Sequence, residues 1–97
     1  MAKYTLSPIA QSRLKEIKAY SLEHFGKHQT TIYLKKLHEC MQGLANEPSK
    51  GTARNDLKKG YYSKFITSHT IYYRINTPHI EIIDILHQSM EPKRHIL

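Results

Sequence analysis

An α+β domain is predicted, made of an N-terminal strand, an antiparallel α-helical hairpin and a three-stranded antiparallel meander, with the helices packed on one face of the sheet. Three observations lead there. Between Ser7 and Pro48 the apolar residues recur at helical spacing, whereas from Tyr61 onward β-branched and aromatic residues crowd into short runs separated by turn residues. The 97 residues are enough for one core and too few for two, so a single domain over 1–97 is expected.

The run "KYTL" reads as the first strand, and the following Ser7-Pro8 pair supplies a helix N-cap and a first-turn proline. Leu14, Ile17, Tyr20 and Phe25 then fall near one helical stripe, with Arg13, Lys15, Glu16, Lys18 and Glu23 elsewhere around it. Gly26 is the expected stop. A second helix should begin within "KHQTT", carry the stripe Tyr33, Leu34, Leu37, Cys40, Met41 and Leu44, and end before Pro48. A joint of about three residues makes the two an antiparallel hairpin. "EPSKGTARNDLKKG" has no period and reads as a long loop.

The strands are expected in "YYSKFIT", "HTIYYRI" and "IEIIDILH", with "NTPH" as a turn before the last. In the middle strand Ile71, Tyr73 and Ile75 share one face, which turns Tyr72 and Arg74 to the other and Arg74 outward. The last segment also fits a helix, because Glu81, Asp84 and Gln88 recur at helical spacing. Isoleucines at 80, 82, 83 and 85, and a turn that permits only neighbouring pairing, favour a strand. Apolar residues at both parities mark it as interior, covered on both faces. His87, in step with Ile83 and Ile85, is expected to continue a packed face and to bond a backbone group at the sheet end.

Fifteen Lys and Arg against eight Asp and Glu leave a net charge of +7, which favours encounters with nucleic acid, acidic protein or anionic membrane. Residues 50–74 hold Lys50, Arg54, Lys58, Lys59, Lys64 and Arg74 against one acid, Asp56, so a basic face is expected there. No apolar stretch approaches the roughly 20 residues of a membrane span, and "MAKYTLSP" lacks the apolar core of a signal peptide. A cytoplasmic protein without a membrane partner follows as the expectation. Cys40 is the single cysteine, has no partner for an internal disulfide, and lies on the second helical stripe as a small apolar residue.

Seven histidines raise the question of a metal, yet His24 and His28 straddle Gly26, and His79 with His87 forms no ligand set, so neither metal nor cofactor is expected. Gly-rich phosphate loops, nucleophile elbows and paired carboxylates are missing from the sequence. One chemistry stays open, the cleavage of RNA, which needs a base for the ribose 2′-hydroxyl, cations for the phosphate and an acid for the leaving group. Lys64, Tyr72, Arg74 and His87 supply those roles if they share a sheet face. The competing reading has solvated strand residues and a histidine satisfied at the sheet end.

The order of "YTLSPIAQSRLKEI", "FGKHQTTIYLKKL", "LANEPSKG", "HTIYYRI" and "IDILHQSM" resembles the ParE branch of the ParE/RelE type II toxin superfamily over nearly the whole chain. The resemblance implies a RelE/ParE-like fold and a small cytoplasmic toxin, neutralised by a ParD-like antitoxin through which the pair sits on operator DNA. It further implies poisoning of DNA gyrase, since ParE members share the RelE fold but generally lack its RNA-cleaving residues. Two positions depart from the family pattern: Tyr62 stands where many relatives carry an arginine after the loop glycine, and Glu91 replaces the aspartate that usually follows the methionine. No loop-arginine role is therefore carried over.

Three functions compete. A toxin that binds gyrase needs only a surface, for which the candidates are Arg54, Lys58, Lys59, Lys64, Arg74, His87, Met90, Lys93 and Arg94. A ribosome-dependent mRNA endonuclease of RelE type needs Lys64, Tyr72, Arg74 and His87 to converge. A plain nucleic-acid binder draws only on the charge.

Overall fold

The computed structural model describes residues 2–96, arranged as β1 (Tyr4–Leu6), α1 (Pro8–Asn46), a 3₁₀ turn (Pro48–Lys50), β2 (Thr52–Ala53), β3 (Tyr61–Ile66), β4 (His69–Asn76), β5 (His79–His87) and a short α2 (Pro92–His95). Ser7 starts α1 as the sequence requires. It is extended, its hydroxyl accepts from the Ala10 N–H, and the same hydroxyl donates to the Ile83 carbonyl at 2.7 Å, which ties the helix start to β5.

The two predicted helices form one helical run of 39 residues, broken only at Gly26, where φ 82° and ψ 173° are non-helical. A straight helix of that length would span about 58 Å. The largest dimension of the molecule is 37 Å, so the run folds back, and Leu14 and Leu34 line one groove. The joint is thus one residue rather than three, because glycine alone enters this left-handed region without a Cβ penalty. Beside the turn the Thr30 hydroxyl hydrogen-bonds both Ser21 Oγ and the Gly26 carbonyl, each at 2.8 Å. The first stripe is shorter than expected: Leu14 and Ile17 pack on the core, but Tyr20 and Phe25 are 59% and 64% exposed.

The sheet is five-stranded and mixed, in the order β1-β5-β4-β3-β2, with β1 parallel to β5 and the other pairs antiparallel. The three-stranded meander is therefore only its centre. β1 extends it because the chain leaves β1 into α1 and returns beside it as β5, and the expected loop contributes the 3₁₀ turn and the two-residue β2 to the far edge. β5 is interior, as its isoleucines required. Its register carries a one-residue bulge: Tyr72 pairs with Asp84 but Tyr73 with Ile82, leaving Ile83 as the extra residue. Simple alternation consequently fails across the bulge. Ile80, Ile82 and Ile85 join the core under α1 with Leu37, Met41, Ile71 and Tyr73, while Leu86, with Ile83 beside it, packs on the opposite face against Tyr61, Tyr72 and Ile96.

One loop position is fixed by packing. The Tyr73 hydroxyl donates to the Pro48 carbonyl at 2.6 Å and accepts from the Gly51 N–H at 3.1 Å, and a Cβ at Gly51 would lie 2.1 Å from that oxygen. Gly51→Ala is expected to displace Tyr73 and to cost about 1–3 kcal/mol, read as a lower urea midpoint with unchanged m.

Candidate functional site

Register decides which candidate residues meet. Lys64 pairs with Ile71, and Ile71 with Ile85, so Lys64 lies on the face covered by α1. His69 and His87 are a cross-strand pair on that same face, with His69 beneath Tyr33 of α1. Tyr72 pairs with Ser63 and Arg74 with Tyr61, which puts both on the opposite face. The four residues named for RNA cleavage therefore divide two and two between the faces of the sheet. Tyr72 is 4% exposed, and Arg74 gives its Nε to Glu81 at 2.7 Å.

His87 is exposed, a correction to the packed position expected of it, because β5 reaches beyond the helical cover at that end. Its Nδ1 accepts from the Ser89 N–H at 3.1 Å and lies 2.8 Å from Ser89 Oγ, and its ring meets His69 edge to face at 5.4 Å. The backbone bond at the sheet end is present; the covering is not. His69, which sequence reasoning passed over, is the more enclosed ring. Tyr33 Oη sits 2.6 Å from its Nδ1, and burial, with the nearby His87 second, pushes its pKa down to about 4. The signal for it was the step from Tyr33 on the second helical stripe to the first residue of "HTIYYRI".

This depression has a consequence for stability. A histidine at its ordinary pKa of about 6.5 when unfolded and near 4 when folded binds more protons unfolded, so the contribution is complete above pH ~6.5 and is lost as pH falls toward 4. Partial solvent access reduces the full linkage energy, and a loss of about 1–2 kcal/mol across that window is expected. His69→Gln, able to keep a bond to Tyr33, should flatten the pH dependence of the urea midpoint between those values.

The opposite face carries the basic loop. The Arg54 guanidinium holds Asp56 through two bonds of 3.1 and 3.2 Å, reaches Ser63 Oγ at 3.4 Å, and lies 5.7 Å from the centre of the Tyr72 ring. Lys58 lies over Tyr61 at 5.8 Å. Since Lys50 also meets Glu47 at 3.5 Å, the cations of residues 50–74 without a carboxylate neighbour among the described residues are Lys58, Lys59 and Lys64. They are on two faces, so the basic patch is smaller than the sequence count implied.

The C-terminal segment folds back over this face. Ile96 is 6% exposed among Tyr61, Tyr72 and Leu86, with Met90 and Leu57 half-buried alongside, whereas Lys93 and Arg94 are exposed. Met90 thus contributes part of its surface to this packing. Asp84, 1% exposed, accepts from Arg13 Nε at 2.9 Å and from the Ile85 N–H at 2.8 Å, and Arg13 Nη2 lies 3.3 Å from His95 Nδ1. Asp84 Oδ2 has no partner among the described residues. The bond to Asp84 raises the Arg13 pKa and keeps the guanidinium charged. Nothing local in the sequence announces this link between positions 13, 84 and 95.

Between the limbs of α1 and β1 runs an open groove of about 370 Å³, with an apolar floor of Leu6, Leu14, Leu34 and Met41 and with Lys15, Lys18 and the hydrogen-bonded pair Tyr4 and His38 at its sides. Cys40 is half-buried, and burial pushes its thiol above the usual range, against a smaller opposing effect of Lys64. Among the described residues there is no group of three metal-ligating side chains and no helix long and apolar enough to cross a membrane.

The family model described as "ParE toxin of type II toxin-antitoxin system, parDE" matches residues 4–92. The chain is 33% identical over 96 residues to a Toxin ParE1 of Caulobacter vibrioides, covering 99% of both chains, and 32% identical over 96 residues to a Toxin ParE1 of Mycobacterium tuberculosis, covering 98% of both. It also superposes on a chain of the chromosomal ParDE TA system from P. aeruginosa with a TM-score of 0.76 over 90% of this chain and 96% of that one; at 16% identity that likeness concerns the fold. A match to the family over nearly its whole length, on an α+β frame of one broken helical run against a mixed sheet, leaves one assignment: the chain belongs to the ParE toxin family of type II toxin-antitoxin systems.

Proposed function

We propose that the chain arrests growth as a non-catalytic poison of DNA gyrase and that its ParD antitoxin cancels it by filling the groove beside β1. The observation that carries the first part is the division of Lys64 and His87 from Tyr72 and Arg74 across the sheet. General acid–base cleavage requires its groups within hydrogen-bond reach of one phosphodiester, and two faces of a sheet do not offer that. Binding requires only a surface, and Lys58, Lys59, Lys93, Arg94 and His87 remain exposed for it.

For the antitoxin, an apolar floor with lysines at its side fits a helix that is apolar on one face and acidic on the other, the helix-in-groove mode of recognition. The test is a supercoiling assay with purified toxin, in which inhibition that added antitoxin reverses is the expected result. His87→Gln should keep growth arrest. Unchanged supercoiling at a large excess of growth-arresting toxin, together with cleavage of mRNA on ribosomes, would overturn the reading in favour of a RelE-type nuclease.

A further inference from the structure

The turn of α1 carries an aromatic cluster that the fold does not use. Tyr20 and His24 stack at 3.9 Å, and Phe25 stands 6.4 Å from the first ring and 6.3 Å from the second. Tyr20 and Phe25 are 59% and 64% exposed, so most of their apolar area is left in water. The cluster is nevertheless held in place. The His24 Nδ1–H donates to the Tyr20 carbonyl at 2.9 Å, and Thr30 pins the turn through Ser21 and Gly26. Aromatic side chains have few rotatable bonds, so exposed rings on a pinned turn lose little conformational entropy when covered, a property of binding anchors.

Size and charge narrow the occupant. With side chains of about 150–250 Å² each, the two exposed rings offer on the order of 250 Å², well short of the ~800 Å² per partner of a stable self-associating interface, but adequate for the anchor of a larger contact. Between residues 17 and 38 Glu23 is the only acid, against Lys18, Lys27, Lys35 and Lys36. The geometry points to the turn of α1 as an anchor that inserts Tyr20 and Phe25 into an apolar, acid-rimmed pocket on the protein that the toxin poisons. This surface is separate from the groove beside β1: Tyr20, two residues beyond Lys18, the last groove residue on that limb, is turned about 200° from it around the helix, and Phe25 lies seven residues beyond it, about 10 Å along the helix axis.

The inference rests on the reading of the chain as a toxin with a protein target, and the experiment separates the two. A Tyr20→Ser/Phe25→Ser double variant alters exposed side chains and should melt near the parent. It is expected to lose growth arrest and to bind gyrase about 30-fold or more weakly, while its affinity for ParD antitoxin stays within about threefold. Phe25→Trp should retain arrest. Unchanged arrest by the double variant overturns the proposal, as does a parallel fall in antitoxin affinity, which would assign the turn to the antitoxin. A parent dimer that the variant dissolves assigns it to self-association, and a loss confined to DNA retention assigns it to nucleic acid; both overturn it as well. If the parent does not inhibit gyrase but the double variant still loses arrest, the gyrase reading falls and the anchor stands.

Discussion

Arg13→Ala is expected to destabilise the protein by about 3–5 kcal/mol, a large part of the 5–15 kcal/mol typical of a domain this size. The guanidinium is the ionic partner of Asp84, whose side chain is 2% exposed and whose second oxygen already lacks a hydrogen bond among the described residues. Without Arg13 the Asp84 carboxyl stays buried opposite Tyr72, with the Ile85 N–H as its one remaining partner among the described residues. The neighbouring contact of Arg13 with Glu16 contributes little, because Glu16 is 66% exposed and that pair is screened. The double substitution Arg13→Met/Asp84→Leu should recover most of the loss, since removing both charges also removes the desolvation that one of them imposes. Equal midpoints for Arg13→Ala and the parent in urea would show that the pair contributes nothing and that water reaches Asp84 after all.

This pair also marks how far the sequence could be read. The N-cap at Ser7, the break at Gly26, the helix end before Pro48 and the interior position of β5 all rest on local chemistry: a hydroxyl at a helix start, a residue without a Cβ, a missing N–H, a run of β-branched side chains. Those signals sit within a few residues of the structure that they specify. What remained hidden depends on distant contacts. The bulge at Ile83 is set by pairing with β4, and it decides which isoleucines face α1; a pattern of alternation cannot register an added residue. The parallel pairing of β1 with β5 joins residues near opposite ends of the chain, and so does the link from Arg13 to Asp84 and His95.

The same distinction applies to the candidate site. Lys64, Tyr72, Arg74 and His87 were identifiable by type, and even the parity that separates Ile71 from Tyr72 was legible. Whether Lys64 stands with Arg74 required the register of β3 on β4, which the turn between them fixes only in the folded chain. Tyr20 and Phe25 are an instructive failure in the other direction. Their helical spacing placed them on the packed stripe, but α1 turns back at Gly26 beyond the edge of the sheet cover, so the spacing holds while the burial does not.

Removal of residues 92–97 is expected to lower stability by about 2–4 kcal/mol and to weaken growth arrest mainly for that reason. The sequence offered Lys93 and Arg94 of this tail as target contacts. Leu97 lies outside the described residues, and Ile96 is part of the core on the second face of the sheet, where it covers Tyr61, Tyr72 and Leu86. Truncation exposes those side chains and also takes His95 from Arg13. Stability and target contact are separable, because Lys93 and Arg94 are exposed while Ile96 is not. Ile96→Ala should reproduce most of the lost stability with the charges intact. A Lys93→Ala/Arg94→Ala variant should melt within about 0.5 kcal/mol of the parent, and any arrest that it loses is then loss of a contact. If the truncated chain instead unfolds at the parent's urea midpoint, Ile96 contributes no packing energy, and the tail returns to the role of a free basic arm.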